Sequence, residues 1–176
     1  HGGGKAKVIN KRLAEAGLPP LNSTLGGLPK APVAIVWSPL PSGSPGTKKN
    51  LPQNFFPGLR WVDWTGTDFY ASYPEWGALT KLYERYPEKP FAITEFGVEA
   101  GDDPNFVSHL FAWVKAHPRT KMLVYYQDFG STTNYRIQNY AESLAVLTDR
   151  LHNGLFPAYA PGAPHLPPPP PGGVEP

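Results

Sequence analysis

The sequence predicts an α/β domain of parallel strands and helices, with its polar chemistry gathered where the strands end. Three observations carry this. Pro32–Trp37, Phe91–Thr94 and Lys121–Tyr126 are short runs, largely apolar, without the alternation of a half-exposed strand, so they read as buried parallel strands. Amphipathic helical stretches lie between and after the later strands. Each strand also ends in polar or aromatic residues. A strand, a carboxylate at its exit and then a helix is the arrangement of a βα-barrel site.

Length and composition set the bounds. The chain has 176 residues, enough for one domain. Its net charge is +2 with no basic run, which argues against nucleic acid as a partner. There is no cysteine, which excludes disulfides, thiolate metal sites and a thiol nucleophile but leaves the compartment open. No apolar run is long enough to span a membrane, and none is expected to bind one. The chain opens at His1 and not Met, so further natural sequence is expected upstream.

Taken in order, residues 1–30 form a lead-in. Lys5–Ala16 has Val8, Ile9 and Leu13 at helical spacing with Gly17 as a stop, and Leu21–Lys30 is loop. Residues 31–155 form the main domain. Its first strand is Pro32–Trp37. Ser38–Asn54 is a long Pro/Gly/Ser loop, either a binding loop or a surface excursion. Trp64–Tyr70 is the second strand. Glu75–Tyr86 is a helix with Leu79, Leu82 and Tyr83 as its buried stripe. Phe91–Thr94 is the third strand. Asp103 caps the next helix, Pro104–Ala116, whose stripe is Phe106, Leu110, Trp113 and Val114. Lys121–Tyr126 is the fourth strand. Asn134 then caps a last helix, Tyr135–Leu151, with Tyr140, Leu144, Val146, Leu147 and Leu151 on its apolar face. Residues 156–176 are Pro-rich and predict a disordered, extended tail, more simply a linker than a proline-motif ligand.

Right-handed crossovers put the helices on one side of the parallel strands. No glycine-rich phosphate loop follows any strand, so a doubly wound nucleotide fold lacks its main sign. A full barrel needs roughly 250 residues. Four strands therefore predict half a barrel or a smaller α/β domain. An isolated half would expose strand edges and an apolar interior unless a partner covered them.

The strand exits carry Trp37 and Ser38, then Asp68 and Tyr70, then Glu95, then Tyr126, Gln127 and Asp128. In a barrel these converge on one face. Carboxylates ringed by Trp and Tyr suit a sugar, whose apolar face stacks on rings while its hydroxyls meet carboxylates and amides. Glycoside hydrolysis needs two carboxyl groups, and Glu95 is the better nucleophile candidate, with Tyr70 placed to donate a hydrogen bond to it. The five histidines are scattered, and His109 and His117 lie too far apart for a paired ligand set, so no metal site is expected.

Val62–Tyr70, Lys89–Gly97 and Val124–Tyr126 together resemble the last strands of glycoside hydrolase family 26, and Val33–Ser38 resembles that family's fifth strand. The similarity covers about residues 30 to 150. It implies a (β/α)8 TIM-barrel glycosidase, here its C-terminal half, about strands five to eight. It also implies a retaining, secreted enzyme of the β-mannanase type, acting on β-mannan or a related β-linked polysaccharide without a cofactor. By resemblance Glu95 is the nucleophile and Tyr70 the tyrosine that orients it; from their places at the strand exits Trp37, Asp68, Tyr126 and Gln127 are expected to contact substrate, Asp68 alternatively positioning its neighbours. The family's acid/base glutamate lies on its fourth strand in a His-Glu-x-Asn-like motif, which is absent here, and Tyr125 or Tyr126 stands where the family has Trp on strand eight. The chain is accordingly expected to need an N-terminal half as partner and to hydrolyse little or nothing alone. Glu99, Asp102 and Asp103 are the nearest substitutes for the missing acid, but helix capping explains Asp103 more simply. A non-catalytic carbohydrate-binding protein, or a structural or interaction domain with incidental strand-exit polars, are the alternatives.

Overall fold

The computed structural model describes residues 6–18, 33–99, 101–127 and 134–153. The expected loop at 21–30, the tail at 156–176 and Asp128 lie outside them. The chain divides into two units, residues 1–33 and 34–176. In the first, α1 spans Ala6–Glu15. It stops as expected at Gly17, which takes a left-handed φ of 68°, while the Leu18 amide donates back to the Leu13 carbonyl at 2.8 Å.

The second unit holds β1 (Val36–Trp37), β2 (Trp64–Tyr70), α2 (Trp76–Arg85), β3 (Phe91–Gly97), α3 (Pro104–Ala116), β4 (Thr120–Tyr125) and α4 (Ala141–His152). The strands form one all-parallel sheet in the order β1-β2-β3-β4. Each strand lies beside the next in sequence, so the order never reverses as it does at the switch point of a doubly wound sheet. The structure is α/β and compatible with half of a barrel.

The core lies between the sheet and the helices. Phe69 of β2 and Phe91, Ile93 and Phe96 of β3 are buried with Leu79, Leu82 and Tyr83 of α2 and Phe106, Leu110 and Trp113 of α3. These are the stripes that helical spacing predicts. Trp113 Nε1 donates to Thr80 Oγ1 at 3.0 Å across the α2–α3 seam. Arg119 closes the C-terminal end of α2. Its guanidinium lies 3.9 Å over the Tyr83 ring and donates to the carbonyls of Tyr83, Tyr86 and Lys89.

Several boundaries differ from expectation. The first strand shrinks to Val36–Trp37. The Asp63 carboxylate takes the Ile35 amide at 2.8 Å, and the Ile35 carbonyl takes the amides of Asp63 and Trp64, so a side chain replaces a ladder partner. The long loop after β1 contains 3-10 turns at Lys48–Asn50 and Pro52–Phe55. β3 runs on to Gly97 through a bulge. α4 starts at Ala141 and not Tyr135. Asn134 does not cap it; its side chain accepts from the Arg136 amide at 3.0 Å in the preceding segment. Leu151, expected on the apolar face, is half exposed, whereas Leu147 is buried.

Candidate functional site

The bulge in β3 organises the strand exits. Thr67 of β2 pairs with Ile93, but the next residue, Asp68, pairs with Glu95. Thr94 is therefore an extra residue, and strict alternation of faces fails there. Thr94 and Glu95 both reach β2. Thr94 Oγ1 donates to Asp68 Oδ1 at 2.8 Å, and Tyr70 Oη donates to Glu95 Oε2 at 2.5 Å. Ser38, just past β1, hydrogen-bonds Thr94 Oγ1. Three strand exits are thereby tied across the sheet: Ser38, then Asp68 with Tyr70, then Thr94 with Glu95.

The electrostatics follow from this packing. Burial, and then the Glu95 carboxylate that its hydroxyl faces, push the Tyr70 phenol far above its ordinary 10.0, so it is a standing donor. Burial raises Asp68 above 3.8; the bond from Thr94 opposes this, and the charge of Glu95 adds to the rise. Glu95 Oε1, unlike Oε2, has no protein partner among the described residues.

Two further tyrosines shape the surroundings. The Tyr126 ring lies edge-on to Tyr70 at 6.3 Å, and Tyr135 lies 5.6 Å from Tyr70 and 4.9 Å from Tyr126. Gly97 makes room for them. A Cβ there would sit 3.1 Å from Tyr70 Cε1 and 3.2 Å from Tyr135 Cδ1. Sequence reasoning placed Ser38 at a strand exit without giving it a role, and it missed Tyr135 and Thr94 as site residues. Tyr135 lies in an irregular segment, and the parts of Thr94 and Ser38 depend on the bulge, which no apolar pattern reveals.

Not every expected residue joins this group. Trp37 packs against Phe56 at 5.0 Å and Tyr86 at 5.4 Å, with its ring against the core and not beside Glu95. A continuous apolar run hides which face each residue takes, and in β1 it is Ser38 that reaches the site. Gln127 is committed at both ends of its amide: Nε2 donates to Gln138 Oε1 at 2.7 Å and Oε1 accepts from the Ile137 amide at 3.2 Å. It holds the approach to α4.

Two of the substitute acids are committed as caps, and Glu99 only through one oxygen, its Oε2 being buried with no hydrogen-bond partner among the described residues. Asp103 Oδ1 accepts from the Phe106 amide at 2.9 Å and caps α3, as expected. Asp102 caps α4 from a distance. It accepts from the amides of Glu142 and Ser143, both at 2.8 Å, and from Ser143 Oγ at 2.5 Å. The Ser143 bond, with the backbone bonds added, holds its carboxyl below 3.8. Glu99 Oε1 accepts from the Ser72 amide at 3.3 Å.

A hollow of about 560 Å³ opens beside Asp68 and Tyr70, walled by Leu40, Ser42, Tyr73 and Glu75 among others. That volume is in the usual range for small-ligand sites, about 300–1,000 Å³. Tyr73 is 82 % exposed at its rim. No group of acids and histidines among the described residues could hold a metal ion. No described helix is long and apolar enough to cross a membrane. No family model matches the chain, and no curated protein matches it.

Proposed function

We propose that this chain is the C-terminal half of a (β/α)8 glycosidase of the family 26 type, retaining and acting on a β-mannan or related β-linked polysaccharide. The observation that carries this is the Tyr70–Glu95 pair at adjacent strand exits, 2.5 Å apart. Tyr70 holds Oε2 and leaves Oε1 to attack the anomeric carbon, so the glycosidic C–O bond breaks as a glycosyl–Glu95 ester forms. The departing oxygen needs a proton from a second carboxyl group about 5–5.5 Å away across the scissile bond. Asp68 does not suit that part. It is the register partner of Glu95 on the neighbouring strand and lines the same wall. Asp102 and Asp103 are occupied as caps. An N-terminal set of strands would supply the acid and the opposite wall. The tyrosines around Tyr70 and Glu95 favour a sugar, with Tyr126 as a stacking face there and Tyr73 at the rim of the hollow beside Tyr70, and secretion is the matching localisation.

Because the carboxyl beside Glu95 is its own register partner Asp68, and Asp102 and Asp103 serve as caps, binding without hydrolysis is the second reading. A purely structural domain would scatter the strand-exit polars, whereas Tyr70, Glu95, Thr94 and Asp68 converge.

Hydrolysis of a β-mannan and of an activated aryl β-mannoside decides between these, using this chain, an upstream-extended chain and the Glu95→Ala form of each. Turnover is expected only in the extended chain, with Glu95→Ala reducing it at least 10²-fold, on the order of losing a positioned catalytic group. An inactive, folded extended chain that still binds the glycan would leave the binding role. One that neither cleaves nor binds β-glycans would end the carbohydrate reading.

A further inference from the structure

A second hollow, of about 420 Å³, lies between the loop after β1 and the outer side of α2. Its wall carries two cations, Lys81 and Arg85, and no acid. Neither cation pairs with a carboxylate among the described residues, where the ion pair found is Lys11–Glu15. Like charges four residues apart on a helix repel. Arg85, in the last turn of α2, gains from the helix dipole; Lys81, a turn earlier, lies beyond its reach. The pair is costly to the helix and concentrates positive charge on one concave surface.

The surface is built before any ligand arrives. Asn50 Nδ2 donates to the carbonyls of Ser44 and Pro45, and Asn54 Nδ2 to those of Lys48 and Lys49, which pins the loop that forms one wall. Leu82 and Pro52 are buried in the floor. A Cβ on Gly77 would meet nothing within 4 Å, so the floor is open there. Pro41 and Ser42 line this hollow and also the 560 Å³ hollow beside Tyr70. Ser42 Oγ donates to Glu75 Oε1 at 2.9 Å at the crossing between them.

We propose that the Lys81–Arg85 hollow binds the carboxylate of a uronic acid unit on a glycan whose neutral units occupy the adjoining hollow. This rests on the carbohydrate reading above. Arg85 offers the planar fork that matches a carboxylate, and Lys81 adds a point charge. Gln53, Ala78 and Leu82 also line the hollow, which adds an amide for a sugar hydroxyl and apolar surface for its ring. The substrate class is thereby an acid-decorated β-linked polysaccharide and not a wholly neutral one.

Calorimetric titration of the full chain with matched β-linked oligosaccharides, one neutral and one carrying a uronate, tests this. The uronate form should bind roughly tenfold more tightly, the scale of one charge-assisted pair, with the margin shrinking as salt is raised. The doubly substituted Lys81→Ala/Arg85→Ala chain, with unchanged circular dichroism, should bind both equally. Equal affinity in the unaltered chain, or a preference that survives the double substitution, would overturn the anion site alone. Binding of neither oligosaccharide would also overturn the anion site, while the carbohydrate reading itself stands or falls with the upstream-extended chain.

Discussion

The Tyr70 hydroxyl donates to Glu95 Oε2, and burial first, then that contact, keeps it from ionising. Its raised pKa favours the neutral phenol in the folded state. The stability this supplies is full below the ordinary 10.0 and is lost as pH rises above it. An ultraviolet titration of the unaltered chain minus Tyr70→Phe should show no ionisation step near 10, and Glu95→Gln should bring the Tyr70 step down toward it. A Tyr70 step at 10 in the unaltered chain would break the pairing. At this scale the sequence was readable where a residue's place at a strand exit was enough, as for Glu95, Tyr70 and Asp68. Trp37 was not readable, because an apolar run such as Ala34–Trp37 gives no parity and its ring turns to Phe56 and Tyr86.

Among the elements, the β2–β3 pair and the α3–α4 corner control the site. Gly66 faces Ala92 across the ladder, and a Cβ at 66 would lie 2.7 Å from the Ala92 carbonyl oxygen, a backbone atom that cannot swing aside. Gly66→Ala should cost about 1–3 kcal/mol in chemical denaturation, the usual cost of overpacking, and should weaken glycan binding through the Asp68 side of the site. Unchanged stability would show that the β2–β3 pairing yields at Gly66 without cost. At the α3–α4 corner, Asp102 takes over the capping that local sequence assigned to Asn134. The helix lengths were legible from their stripes, but this start was not, because its cap is supplied 40 residues earlier in the chain. The lowered pKa of Asp102 means its contribution is full above 3.8 and fades as pH falls through the folded value below that. Asp102→Asn keeps one acceptor and loses the other. Its urea midpoint should fall near neutral pH, and the gap to the unaltered chain should close in acid. A gap independent of pH would assign the loss to shape and not charge.

For the whole molecule, the strand order and the one-sided helices leave a question of cover. The apolar strand runs and helix stripes were enough to expect a parallel sheet with right-handed crossovers, while half a barrel and a smaller α/β domain both stayed open. What they could not specify is the face opposite the helices. Along β4, Leu123 and Tyr125 pack toward the core, so Val124 must point the other way, and it is 42 % exposed. Within the sheet β4 is an edge strand. An apolar side chain on an open face beside an unpaired edge favours association with another chain. Val124→Lys places a charge there without removing a core contact. Its unfolding free energy should stay within about 0.5 kcal/mol, as for surface substitutions in general, while concentration-dependent association in sedimentation velocity should fall. A large loss of stability would show that Val124 is already covered within a single chain. Equal association in both forms would move the contact surface elsewhere on the molecule.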